Sequence, residues 1–384
     1  MTAQNFYPAS YEASRQAFYQ DVTAVRQSWP AARLISHPLA PTDGEEQEDG
    51  KGLTLDWIEA DALERPEKLL IFTAGEHGIE GYAGAALFEL FLQEFLPRLD
   101  PRATGLRLVH CINPWGMQQR RKVKANGVDL NRNFVWDTAA FSPAANPDYA
   151  RFAGVFNPTR PLRSYTGGQL AFVAALLRAA LTTGVHRFSL AATLGQYRFP
   201  KGFYYGGDAI QEETRLMMDL YRAGVQQYQH IALLDMHSGF GPRGRISVIC
   251  SPLEPRRPED LQRSFAYPQV VKTTDEKFYP ILGDMIDYIY TLVQHDAPRK
   301  SLFAATLEMG TLGDSTFASA RSLIAMIMEN QVYCHGAGSQ DLRQRVEQDF
   351  EALYRPADPQ WQASVLADAR QAFQGILKAE GFIE

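Results

Sequence analysis

Residues 69–81 read LLIFTAGEHGIEG. Leu69 to Ala74 form an apolar run broken only by Thr73 and closed by Gly75. A short unbroken apolar run suits a strand buried on both faces. Beyond it, Gly78 and Gly81 punctuate a turn that carries His77 and Glu80. A strand that turns through glycine into a helix is where open α/β sheets place their ligands. The pattern recurs downstream. IALLDMHSGFG (231–241) ends an apolar run at His237, and FAATLEMG (303–310) holds Glu308 inside another.

Working outward, strands are expected at 54–60, 68–75, 106–113, 231–237, 245–251 and 303–310. Helical periodicity covers 11–27, 81–96, 170–183, 212–228, 283–293, 318–333, 340–354 and 360–378. Such alternation predicts one large α/β domain, with a central mixed, mostly parallel twisted sheet of about eight strands flanked by helices. Residues 1–50 form an N-terminal extension of helix and strand in this scheme, and about 337–384 a helical tail. The acidic stretch 41–52 is expected as an exposed hairpin loop. Residues 137–163, rich in Pro, Ala and Asn without a period, are expected as a long loop. The aromatic, glycine-paired loop 195–213 is expected to line or cover a pocket.

The chain has 384 residues, 45% of them hydrophobic and 21% charged, which excludes disordered and fibrous architectures. A net charge of -6 argues against non-specific nucleic-acid binding. No apolar run approaches the roughly 20 residues of a membrane helix. The N-terminus lacks a basic start followed by an apolar stretch, so a cytoplasmic protein is expected. Cys111, Cys250 and Cys334 are too few for a disulfide framework and read as reduced thiols.

His77 and Glu80 are three residues apart, which in a turn puts both side chains on one side, able to grip one ion. Zn²⁺ accepts imidazole nitrogen and carboxylate oxygen together. His237, at the other strand end, is the best third ligand, because two strand-end sites in one sheet converge on the same edge. Asp235 shares its strand face and is either a hydrogen-bond partner or a core-edge charge.

The most specific signal is NGVDLNRNF (126–134). In the order GEHGIEG, NGVDLNRNF, DMHSG and LEMGT, the chain resembles the zinc carboxypeptidases over roughly Lys68 to Asp314, within a little-characterised bacterial branch. The resemblance implies His77, Glu80 and His237 as ligands of one zinc ion. It implies Asp129 as the carboxylate that accepts the free N–H of a ligand imidazole, and Glu308 as general base. It implies Asn131 and Arg132 as holders of a substrate's C-terminal carboxylate, a task for which a planar guanidinium is suited. It also implies an oxyanion-stabilising arginine, Arg121 or Arg120, with Arg121 favoured. Tyr279 best matches the family's mobile tyrosine. Ile286 then falls where side-chain specificity is set, implying an apolar or aromatic terminal residue.

The function so implied is a zinc hydrolase that cleaves a C-terminal peptide or amide bond. The alternative is a zinc amidohydrolase of the aspartoacylase or succinylglutamate desuccinylase type, acting on N-acyl amino acids. An inactive binding protein on the same scaffold is a third reading, against which the full set of ligands and base speaks. The expected partner is a peptide or acyl-amino acid with a free carboxylate, and neither nucleic acid nor membrane.

Overall fold

The computed structural model describes residues 6–41, 52–182, 184–273 and 281–384. Its strands are β1 (Arg33–Pro38), β2 (Thr54–Ala60), β3 (Lys68–Ala74), β4 (Thr104–Val109), β5 (His230–Gly239), β6 (Ile246–Cys250), β7 (Val270–Lys272) and β8 (Ser301–Gly310). They form one eight-stranded sheet in the order β1-β2-β4-β3-β5-β8-β6-β7. The centre, β4-β3-β5-β8, is parallel, while β1, β2 and β6 join it through antiparallel pairs.

The helices are α1 (Tyr11–Arg26), α2 (Gly81–Glu94), α3 (Pro114–Gln118), α4 (Pro147–Phe156), α5 (Tyr165–Thr182) and α6 (Val185–Thr193). They continue with α7 (Glu212–Gln227), α8 (Pro258–Phe265), α9 (Met285–Asp296), α10 (Thr316–His335), α11 (Gln340–Tyr354) and α12 (Pro359–Ala379). Side chains alternate along β3 as the strand period requires. Leu70 and Phe72 enter one core with residues of α1, α2, α8 and α12. Leu69 and Ile71 enter the other with residues of α7 and α9. Helices on both faces explain why β3, β5 and β8 read as apolar runs rather than as alternating ones.

Two departures from expectation have physical causes. The stretch 137–163 contains α4, where Asn146 accepts from Tyr149 N–H at 3.0 Å as the cap and Pro147 opens the first turn. That helix is held by an aromatic cluster in which Tyr149, Phe156, Phe188 and Phe203 are buried together. The helix is only ten residues long, and its aromatic side chains are buried by partners distant in sequence such as Phe188 and Phe203. Edge strand β7 was not expected, because it has only three residues, while β1 is the strand of the N-terminal extension. Most of the acidic stretch 41–52 lies outside the described residues.

What the fold delivers is one edge. β3, β5 and β8 run parallel, so their C-terminal ends lie together, with Ala74 opposite Met236 and His237 opposite Glu308. Gly75, at φ +65°, turns the chain out of β3 in a conformation that side-chain-bearing residues rarely adopt. Gly78 then packs its backbone onto Gly116, where a Cβ would meet the carbonyl carbon at 2.2 Å. This close approach fixes the short turn bearing His77 and Glu80.

Candidate metal centre

His77 leaves the end of β3 and Glu80 closes the 3₁₀ turn Gly78–Glu80. Both are buried, as is His237 on β5. Their ligating atoms converge. His77 Nδ1 lies 2.8 Å from Glu80 Oε1, His237 Nδ1 lies 3.0 Å from Glu80 Oε2, and the two Nδ1 atoms are 3.2 Å apart. Tetrahedral ligands about 2.1 Å from a zinc ion would sit about 3.4 Å from one another. The donor set of two imidazole nitrogens and a carboxylate therefore fits a divalent metal in chemistry and in spacing.

Each ring is held from behind. His77 Nε2 lies 3.2 Å from Asp129 Oδ1, and His237 Nε2 lies 2.5 Å from Asp235 Oδ2. A carboxylate on Nε2 keeps the proton there and leaves Nδ1 as the ligand. Asp235 thus resolves as a partner of His237, and it also accepts from Thr73 Oγ1 at 2.6 Å. Glu76 also groups closely with the two histidines. Its Oε2, however, stands 3.4 Å from His237 Nε2, on the ring edge away from Nδ1. Glu80, which meets both Nδ1 atoms, is the carboxylate that completes the set.

The electrostatics follow from crowding. Burial opposes charge on His237, but Asp235 and Glu80 outweigh it and hold the imidazole well above its ordinary range. Burial likewise opposes charge on Glu80, and the two histidines overcome it and hold its carboxyl well down. Burial pushes Glu76 up to about 7. Glu308, next to His237 across β5 and β8, is pushed up to about 7 by burial and then by Glu80. Its Oε1 accepts the Phe240 N–H at 2.9 Å, which aims the carboxylate along the cleft.

His77, Glu80, His237 and Glu308 line a cleft of about 710 Å³ that also takes in Lys122, Asn131, Arg132, Tyr204, Ile286 and Tyr354. Asn131 and Arg132 sit in the short turn that Asp129 caps by accepting the Asn131 N–H at 3.0 Å. Asn131 Oδ1 accepts the Met285 N–H at 3.2 Å, tying this turn to the start of α9. Arg132 donates to the carbonyls of Asn131 and Thr193 and lies over the Tyr204 ring, while its buried Nε has no partner.

Arg121 is not in the cleft. Its guanidinium pairs with Glu329 at 2.7 Å and stacks 3.5 Å from the Tyr333 ring centre on α10. Arg120 pairs with Glu351 in a half-exposed position. The cation that reaches the centre is Lys122, with Nζ 3.1 Å from Asp129 Oδ2 and 5.2 Å from the Tyr204 ring centre. The resemblance implied an arginine, and nothing in RRKVK reveals which side chain turns inward. Tyr279 lies outside the described residues. Tyr204, from the aromatic loop, occupies the cleft wall at φ +56° between Lys122 and Arg132.

A family model described as a protein of unknown function, DUF2817, matches residues 7–368. The chain belongs to this family. Murein peptide amidase A of Escherichia coli, strains K12 and O157:H7, is 38% identical over 95 residues, 25% of this chain and 33% of the relative. The chain thus matches about a third of the length of these curated relatives. Similar solved structures include bovine thrombin-activatable fibrinolysis inhibitor in complex with tick carboxypeptidase inhibitor, with TM-score 0.44, 13% identity, 89% of this chain and 98% of that one. Carboxypeptidase A from Helicoverpa armigera follows with TM-score 0.43, 12% identity, 90% of this chain and 74% of that one. An aspartoacylase family protein from Mesorhizobium loti has TM-score 0.36, 14% identity, 80% of this chain and 67% of that one. At such identities and TM-scores these likenesses set no residue's role in this chain. Among the described residues, no helix is long and apolar enough to cross a membrane.

Proposed function

We propose that this protein is a zinc-dependent hydrolase of amide bonds in peptides bearing a free C-terminal carboxylate. The observation that carries the reading is the meeting of His77 Nδ1, His237 Nδ1 and Glu80 beside a desolvated Glu308 in one cleft. One zinc ion held by these three side chains would supply Lewis acidity and a water that ionises near neutral pH.

The chain's own groups do the rest. Glu308, whose carboxyl is raised toward neutrality, accepts a proton from the attacking water and passes it to the departing amine. The Phe240 N–H holds Glu308 Oε1 during both transfers. Asp129 and Asp235 keep the imidazole tautomers fixed. Lys122 replaces Arg121 in this scheme as the cation near the reacting carbonyl, where developing negative charge is strengthened by low dielectric. Arg132 and Asn131, on the same wall, hold the terminal carboxylate, Arg132 with its unpartnered Nε turned to use. Tyr204 stacks beside both cations and keeps water from them.

The peptidase reading is preferred over a deacylase of N-acyl amino acids because a cleft of about 710 Å³ accommodates more than one residue. The amidase relative acts on a murein peptide by its name, which also points to peptide amides. The test is a peptide-library digest by the purified protein, with and without chelator, read by mass spectrometry. Loss of single C-terminal residues, abolished by chelation and restored by zinc, is expected. Cleavage that survives full chelation, or activity confined to N-acyl amino acids, would overturn it.

A further inference from the structure

Helix α11 belongs to the C-terminal helical tail, outside the stretch Lys68 to Asp314 that resembles the zinc carboxypeptidases, yet its last residue reaches the metal centre. Tyr354 ends α11 and lines the cleft together with Glu80, His237 and Glu308. Three contacts fix it there. Ser238 Oγ, one residue past His237 on β5, donates to the Tyr354 carbonyl at 2.7 Å. Phe350, one turn back on α11, meets the Tyr354 ring edge-on at 5.1 Å, and both are buried with Ile79 of the turn that carries Glu80. Gly239 leaves the space that the ring fills. A Cβ there would stand 3.2 Å from Tyr354 Cε1 and 3.7 Å from Glu308 Oε1, so the ring and the Glu308 carboxylate meet over one glycine.

Packing accounts for the ring but not for the hydroxyl. A phenylalanine would bury the same ring, and a buried tyrosine hydroxyl usually has a hydrogen-bond partner. Among the described residues the Tyr354 hydroxyl has none, although the residue is buried. Tyr204, on the same cleft, gives its hydroxyl to Met326 Sδ at 3.7 Å. Burial, and then Tyr204, Glu80, Asp129 and Glu308 around it, hold the Tyr354 phenol well above its ordinary range, so it stays protonated as a donor. Asp129 and Glu80 act on the Lys122 ammonium as well, which places the ammonium and the hydroxyl at the same end of the cleft. A fixed donor in a desolvated site is of most use where negative charge develops during the reaction.

We propose that Tyr354 is a catalytic residue of this site, whose hydroxyl donates a hydrogen bond to the oxygen of the scissile carbonyl as that oxygen gains negative charge, alongside Lys122. The tyrosine transfers no proton and forms no covalent bond. The proposal rests on the hydrolase reading and adds to it a residue from the C-terminal tail, distinct from Tyr279.

The experiment uses the full chain with zinc supplied, as parent and as Tyr354→Phe, which keeps the ring over Gly239. Steady-state kinetics on a cleaved peptide give kcat and KM. Calorimetry gives the affinity for a phosphinic peptide, whose tetrahedral anion mimics the charged carbonyl oxygen, and for an uncleaved peptide product. Tyr354→Phe should lower kcat by roughly a hundredfold with KM unchanged, and weaken the phosphinic peptide by a similar factor. Product affinity, metal content and Tm should stay as in the parent. If Tyr354→Phe does not fold, Ser238→Ala, which frees the Tyr354 carbonyl, should weaken the phosphinic peptide severalfold in the same assay. Undiminished kcat in Tyr354→Phe, with chelator-sensitive hydrolysis intact, overturns the tyrosine assignment alone. A loss of kcat matched by an equal loss of product affinity or of metal marks a structural role and also overturns it. A parent that cleaves no peptide removes the hydrolase reading, and the phosphinic peptide then decides. Weaker binding by Tyr354→Phe supports the hydroxyl as a donor to an anionic oxygen, and equal binding overturns it.

Discussion

His77 Nδ1 and His237 Nδ1 face each other at 3.2 Å, with a Glu80 oxygen within 3.0 Å of each. Both rings hold their Nε2 protons toward carboxylates, Asp129 for one and Asp235 for the other. The two Nδ1 atoms and the Glu80 carboxylate are thus directed at one point, where a divalent cation would be held in place of protons. Elemental analysis of freshly purified protein is therefore expected to find one equivalent of a divalent metal, lost in His237→Ala. Binding at a hundred times Kd stabilises a fold by about 2.7 kcal/mol, so chelation should lower Tm and zinc should restore it. Asp235→Asn should weaken the metal by roughly 10- to 100-fold without removing a ligand, which a competition titration against a zinc chelator measures.

Glu308 stands beside His237 without being one of the three converging groups. Replacing it by Gln keeps the hydrogen bond from Phe240 N–H and removes the ability to take a proton. Glu308→Gln should lower kcat by roughly 10²- to 10⁴-fold while metal content and Tm stay close to those of the parent. A variant with undiminished kcat would take Glu308 out of the proton path.

Neighbours in sequence, Arg121 and Lys122, separate in space and so separate in consequence. Arg121 and Glu329 form a buried pair under Tyr333. Arg121→Met leaves Glu329 unpaired and should cost about 3–5 kcal/mol of stability, with kcat unchanged. Lys122→Met should do the reverse in kinetics and lower kcat/KM by roughly a hundredfold. Denaturant unfolding and steady-state kinetics on both variants distinguish the roles, and a kinetic defect in Arg121→Met instead would exchange them.

Much of this architecture is written in local patterns. The apolar runs ending at Gly75, His237 and Gly310 mark the central strands because each is buried on two faces. His77, Glu80 and His237 were readable because a parallel sheet gathers its strand ends on one edge. What was not readable depends on tertiary neighbours. α4 is held by an aromatic cluster drawn from residues 149 to 327. The inward turn of Lys122 rather than Arg121 is decided by Asp129 on one side and Glu329 on the other. That Asp284 and Asp287 share the cleft with Ile286 is likewise set by how the start of α9 packs, which DMID does not show.

His110, at the end of β4, offers a test of the packing away from the cleft. It is buried, its Nε2 lies 2.8 Å from Ser14 Oγ on α1, and burial pulls it from 6.5 down to about 4. The native ring is thus neutral where the unfolded ring begins to charge. Below pH 6.5 the unfolded chain binds the extra proton, so this site's contribution is full above that pH and is lost as pH falls toward 4. Between pH 7.5 and 5 the loss should be about 2 kcal/mol. Substituting Gln, which keeps a hydrogen-bonding group for Ser14 but does not titrate, should remove that part of the slope. Urea unfolding of the parent and His110→Gln at both pH values measures the difference. Identical pH slopes would mean that the native ring takes up its proton as the unfolded one does, and that the α1–β4 contact is wetter than the structure has it.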